Sequence, residues 1–176
     1  MIDNDRVQVL EIPYTPIPLL INRFQCDSSV YINRTKPRSE PIPWISEELV
    51  TQTGTIPLIH LDQVFQTLFL VENTGASHLA ILRNMHSFPL NVQSRFMELG
   101  IEATTPLGFR IPSGTKMVNY SVRDFSLLPR VLAPFANQRG LLGAVLPGDG
   151  GMKFLIDMDL LLLAGILEDL HERTDS

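Results

Sequence analysis

Apolar and polar positions along this chain alternate in short runs broken by 13 prolines and 11 glycines, a pattern of strands and turns rather than of long helices. Leu19 to Gln25 and Ser29 to Arg34 are apolar, β-branched runs on either side of Cys26-Asp27-Ser28, which predicts a hairpin. Leu79 to Arg83 and Pro89 to Gln93 predict a second strand pair. Leu141 to Leu146 and Met152 to Ile156, around Pro147-Gly148-Asp149-Gly150-Gly151, predict a third. Thr35 to Trp44 is polar and broken by prolines, as an edge strand or loop would be. Residues 1–18 carry Pro13, Pro16 and Pro18 and predict an extended lead-in along the surface.

Helical spacing is confined to a few places. Ile45-Ser46-Glu47-Glu48-Leu49 predicts a helical turn capped by Ser46. Asp62 is placed to cap a helix from Gln63 to about Leu70 that turns Val64, Phe65, Leu68 and Phe69 inward, with Glu72-Asn73-Thr74-Gly75 ending it. After Asp159, Leu160, Leu163, Leu167 and Leu170 recur at helical spacing. Residues 94–130 predict short strands and turns.

One pattern occurs twice. Gly54-Thr-Ile-Pro-Leu-Ile-His60-Leu-Asp62 and Gly151-Met-Lys-Phe-Leu-Ile-Asp157-Met-Asp159 align without a gap at an offset of 97 residues (151 − 54), with Gly, Leu, Ile and Asp coinciding. Either the chain holds a duplicated unit, or two ordinary strand-to-helix junctions share a turn glycine and an acidic cap for local reasons. A weaker echo favours duplication: the stretch from Leu20 to Ile32 resembles that from Ile81 to Val92. The expected organisation is a lead-in over 1–18 and one domain over 19–176, pseudo-duplicated at about 19–75 and 76–176.

Charge and composition narrow the function. A formal charge of −5 gives no electrostatic footprint for a phosphate backbone, so nucleic acid is disfavoured as a partner. Cys26 is the one cysteine, so no intrachain disulfide can form, and a reducing compartment fits. The first residues carry acids where a signal peptide carries bases, and the longest apolar run is too short to span a bilayer. A cytoplasmic protein with no membrane insertion is expected.

Candidate chemistry is sparse. No nucleophile elbow, zinc-protease helix, phosphate loop, dinucleotide fingerprint or C-x-x-C motif occurs, which points away from an enzyme and from a bound metal or cofactor. His60, His78, His86 and His171 do not fall at metal-ligand spacing. Asp157 and Asp159 alternate on an extended segment and could share a face to hold a cation or act as an acid/base pair, but capping by one of them, with both near the positive end of the following helix, is the stronger reading. Trp44, between two proline-broken segments, suits either an interface anchor or an ordinary core residue.

The segment Gly54-Thr-Ile-Pro57-Leu-Ile-His60-Leu61 resembles the turn and strand of CheW-like domains, in which an Asn-x-Arg-Gly turn precedes an apolar run, a proline and an Asp-Leu pair. Gly140-Leu-Leu-Gly143-Ala-Val, an acidic glycine turn, Phe154-Leu-Ile-Asp157 and Leu160-Leu161 are similar to that family's closing hairpin and final helix. The likeness extends loosely from Leu19 to Leu163. It implies a mainly β fold of two intertwined five-stranded barrel-like subdomains with short helices. It also implies a non-enzymatic adaptor, with the histidine kinase CheA or chemoreceptor cytoplasmic domains as partners. Two family positions differ: Thr53 stands for the turn arginine and His60 for the aspartate of the Asp-Leu pair.

By motif, the resemblance places partner contacts at Thr53, Gly54 and Ile56. Ile42 and Trp44 join them because an apolar, proline-flanked segment is hard to bury as a central strand. The competing expectation is a small-molecule-binding or hydrolytic β domain with His60, Asp157 and Asp159 in a cleft.

Overall fold

A computed structural model describes residues 5–42, 44–69, 77–131, 134, 140–148 and 151–163. The described elements begin with β1 (Arg6–Ile12), β2 (Leu19–Asn22), β3 (Ser28–Tyr31), β4 (Thr35–Ile42), β5 (Ile45–Val50) and β6 (Thr55–His60). Helix α1 (Leu61–Phe69), β7 (Leu79–Arg83), α2 (Leu90–Glu98), β8 (Leu107–Ile111), β9 (Lys116–Ser121) and β10 (Phe125–Leu127) follow. The series closes with β11 (Leu141–Val145), β12 (Lys153–Ile156) and a one-turn helix α3 (Met158–Leu161). The fold is mainly β, as the sequence leads one to expect. Among the described residues, however, each sheet holds six strands rather than five, and neither is a closed barrel.

The strands run β10-β11-β12-β2-β1-β9 in the first sheet and β3-β7-β8-β6-β5-β4 in the second. Read from β4 backwards, the second order has the same connectivity as the first. In both, a hairpin leads to a central parallel pair, β12 with β2 and β6 with β8, flanked by antiparallel neighbours. The two edge strands of each sheet are also consecutive in the chain: β9 and β10 are separated by the 3-10 turn Val122–Asp124, and β3 and β4 by residues 32–34. A link this short between opposite edges requires each sheet to curl nearly onto itself.

The recurring glycine motif falls on equivalent strands. Leu58 of β6 lies opposite Gly108, and Leu155 of β12, 97 residues later, lies opposite Leu20. The earlier echo does not fall so: β2 and β7, which it pairs, occupy different places in the two strand orders. The hairpin β1–β2 sits in the sheet formed with β9–β12, while β7 and β8 sit in the sheet formed with β3–β6. Strands from each side of residue 75 therefore contribute to both sheets, which intertwines them.

Several local expectations are corrected. Residues 6–12 are not a surface lead-in; β1 pairs with both β2 and β9, and Val9 and Ile12 are fully buried. The prolines cluster after the strand, from Pro13 onward, so they end it without depriving it of donors. Runs 19–25 and 29–34 form no hairpin, because β2 joins one sheet and β3 the other. Ile45 to Leu49 is a strand, not a helical turn: its two buried residues, Ile45 and Leu49, fit either period, and pairing with both β4 and β6 decides. Residues 89–93 are not a strand; Pro89 precedes α2, whose Val92 and Phe96 are fully buried one helical turn apart. Asp62 lies in the first turn of α1 rather than at its cap, and Asp157, not Asp159, caps α3. The β11–β12 hairpin and the edge strand β4 match the sequence. The expected junction at 72–75 and the helix beyond Leu163 lie outside the described residues.

Strand alternation divides the side chains among three cores. Ile12, Leu19, Ile21 and Ile156 from the first sheet meet Ile45, Ile59, Ile81 and Phe109 from the second in the main core between the sheets. Val9, Leu20, Tyr120 and Val145 fill the concave side of the first sheet, and Leu49, Leu58 and Ala80 that of the second. Among the described residues, no helix is long and apolar enough to cross a membrane.

Candidate functional site

The turn between β5 and β6 is built by local hydrogen bonds. The backbone N–H and the hydroxyl of Thr51 both donate to the Gly54 carbonyl at 2.8 Å, which brings the strand ends together and leaves Gln52, Thr53 and Gly54 exposed. Gly54 has φ +147°, a conformation that L side chains rarely adopt, so the turn needs glycine at this position. Ile56, two residues on, is half-buried against the small core of the second sheet.

Ile42 and Trp44 lie elsewhere. Both are half-buried against the main core, Ile42 opposite Ile45, and Trp44 with φ +61° where the chain turns from β4 into β5. The Trp44 carbonyl accepts from the His60 backbone N–H at 2.9 Å, so this corner is tied to the end of β6. The structure thus brings Thr53, Gly54 and Ile56 together and sets Ile42 and Trp44 at the other end of β5, about 16 Å away along the strand.

His60, Asp157 and Asp159 do not share a partner. His60 Nε2 lies 3.7 Å from Glu47 Oε2, and the same carboxylate oxygen accepts from Arg110 Nη1 at 2.9 Å. Burial holds the His60 imidazole below its ordinary value against the pull of Glu47, and Arg110 adds to the depression. Asp157 accepts from the backbone N–H groups of Asp159 at 2.8 Å and Leu160 at 3.2 Å, and from Gln25 Nε2 at 3.0 Å. Asp159 receives both terminal nitrogens of Arg83, at 2.5 and 3.2 Å. Among the described residues no cluster of three or more His, Cys, Asp or Glu side chains is arranged to hold a metal.

Two charged features do not emerge from a search for chemical motifs. Arg83, 4% exposed, is fixed by Asp159, by the Ser87 carbonyl at 2.8 Å and by the face of Phe88, 4.2 Å from its guanidinium carbon. Glu11, 7% exposed, accepts from Lys153 Nζ at 2.8 Å and from the Tyr120 hydroxyl at one end of the first sheet's concave core. Burial raises the Glu11 pKa, and these two hydrogen bonds together with the charges of Lys153 and Lys116 outweigh it, so the carboxyl titrates below its ordinary value. The available signal was a charge at an inward position, since Glu11 continues the alternation of Val7 and Val9. Cys26 is buried, and desolvation pushes its thiol up to about 12, against nucleophilic use at neutral pH.

The fold is similar to that of the scaffolding protein TtCheW from Thermoanaerobacter tengcongensis, with a TM-score of 0.58 and 12% sequence identity over 89% of this chain and 87% of that one. No protein-family model matches the chain, and no curated protein matches it in sequence. The structural likeness defines a CheW-like fold over most of the chain.

Proposed function

We propose that this protein is a non-enzymatic adaptor of the CheW kind, acting in the cytoplasm and coupling chemoreceptor cytoplasmic domains to the histidine kinase CheA. The observation that carries this reading is the CheW-like arrangement of two intertwined curled sheets, similar over 89% of the chain to a protein described as a scaffold. The separate structural engagements of Asp157 and Asp159 support it further, since each carboxylate already serves the fold.

In this reading the exposed turn of Thr53 and Gly54, with Ile56 beside it, is one docking contact. Ile42 and Trp44, each keeping part of its surface, form a second at the far end of β5. Main-chain groups and small side chains at a rigid turn can seat a partner without charge, which suits a turn with Thr53 where related domains carry arginine. The test is Thr53→Arg against a CheA regulatory domain in a pull-down. A changed affinity with an unchanged melting temperature supports the turn as a contact; identical binding in a well-folded variant removes it.

A further inference from the structure

Between the two sheets, on the side where the edge strands β3 and β9 lie, is a cavity of about 280 Å3 that reaches the surface beside Met117, itself 43% exposed. Leu10 of β1, Leu79 and Ile81 of β7 and Ile111 of β8 supply its apolar lining. One polar group on its wall is only partly used. The Arg23 guanidinium donates to the Cys26 carbonyl, and among the described residues it has no carboxylate partner. The neighbouring acid, Asp27, accepts from the Asn84 backbone N–H at 2.7 Å. A guanidinium presents five donors in a planar fork suited to a carboxylate.

We infer that this cavity binds a small amphiphilic monocarboxylate, with its alkyl chain against Leu10, Leu79, Ile81 and Ile111 and its carboxylate on Arg23. Mostly apolar walls with a few placed polar groups are the usual make-up of a small-molecule site. At roughly 30 Å3 for each non-hydrogen atom the volume holds about nine of them, the size of a medium-chain acid. One unpaired cation selects a single negative charge, whereas an amine of the same length would set two cations against each other. This inference rests on the cavity alone and is independent of the adaptor reading.

The test is titration of the 15N-labelled full chain with octanoate, octylamine and 1-octanol, followed by amide shifts. Octanoate is expected to give saturable shifts at Cys26, Ser29, Ile81 and Thr115, with 1-octanol at least tenfold weaker and octylamine weaker still. Arg23→Met should weaken octanoate at least tenfold and leave 1-octanol unchanged, while Arg23→Lys recovers part of the loss. Leu79→Trp, which fills the cavity from a half-buried position, should abolish both. No saturable octanoate shifts at these amides, octylamine binding as tightly as octanoate, or equal octanoate affinity in folded Arg23→Met would each overturn the inference.

Discussion

Arg83 at the end of β7 and Asp159 in the first turn of α3 form a two-pronged ion pair, at 2.5 and 3.2 Å, that joins the second sheet to the helix that follows the last strand of the first. Asp62 occupies the equivalent place 97 residues earlier and accepts from the Tyr14 hydroxyl and from Ser77 Oγ at 2.8 Å. One aspartate position therefore holds an arginine in one half and accepts from two hydroxyls in the other.

Removing one side of this part-buried pair leaves a charge without its partner. Arg83→Leu should lower unfolding stability by about 3 kcal/mol, and the double variant Arg83→Leu/Asp159→Leu by clearly less than the sum of the two single losses. Urea denaturation of the four proteins checks this; additive losses would mean that the pair carries no coupling.

His60 predicts a pH dependence. Its imidazole is held below the ordinary value by burial, so the unfolded chain takes a proton more readily than the folded one. This contribution to stability is complete above about pH 6.5 and is lost as pH falls through the lower folded-state value. Arg110 deepens the penalty, while Glu47 and Asp62 reduce it. Relative to His60→Gln, the wild-type melting temperature should fall on going from pH 7.5 to pH 5.5. Parallel curves for the two proteins would contradict the assignment.

Two glycines should respond very differently to alanine. At Gly140, with φ +70°, an added Cβ would stand 2.7 Å from the Leu161 backbone nitrogen, so Gly140→Ala combines strain with a backbone clash and should cost about 3 kcal/mol. Gly148 has nothing within 4 Å of such an atom, and Gly148→Ala should stay within about 0.5 kcal/mol. Thermal melts of the two variants separate the cases.

The two ends of β5 also differ. Ile42 packs on the main core, so Ile42→Ala should cost about 1 kcal/mol, whereas Thr53→Arg on an exposed turn should change stability by no more than about 0.5 kcal/mol. Equal losses from the two substitutions, measured by chemical denaturation, would show that the turn is not free of the core.

What was legible in the sequence was local. Turn residues announced the β11–β12 hairpin, prolines 37 and 41 marked β4 as an edge, and the Gly54 and Gly151 motifs marked the equivalent strands β6 and β12. Neighbouring runs suggested that β2 pairs with β3, but a connection that leaves one sheet for the other carries no nearby signal. The period of α2 was obscured because only Val92 and Phe96 are buried on an otherwise polar face, and a five-residue window ends before Phe96. For the candidate site, Thr53 and Gly54 came from the resemblance to a family turn, and the structure places both on an exposed turn. The half-burial of Ile42 and Trp44 depends on the distant strand β6, whose His60 fixes the Trp44 corner.

Calorimetric titration of the intact protein with a CheA regulatory domain and a chemoreceptor cytoplasmic fragment from the same organism tests the adaptor reading most directly. The reading predicts saturable binding to at least one of them, and an affinity that Thr53→Arg alters without moving the melting temperature. A folded protein that binds neither partner would contradict it.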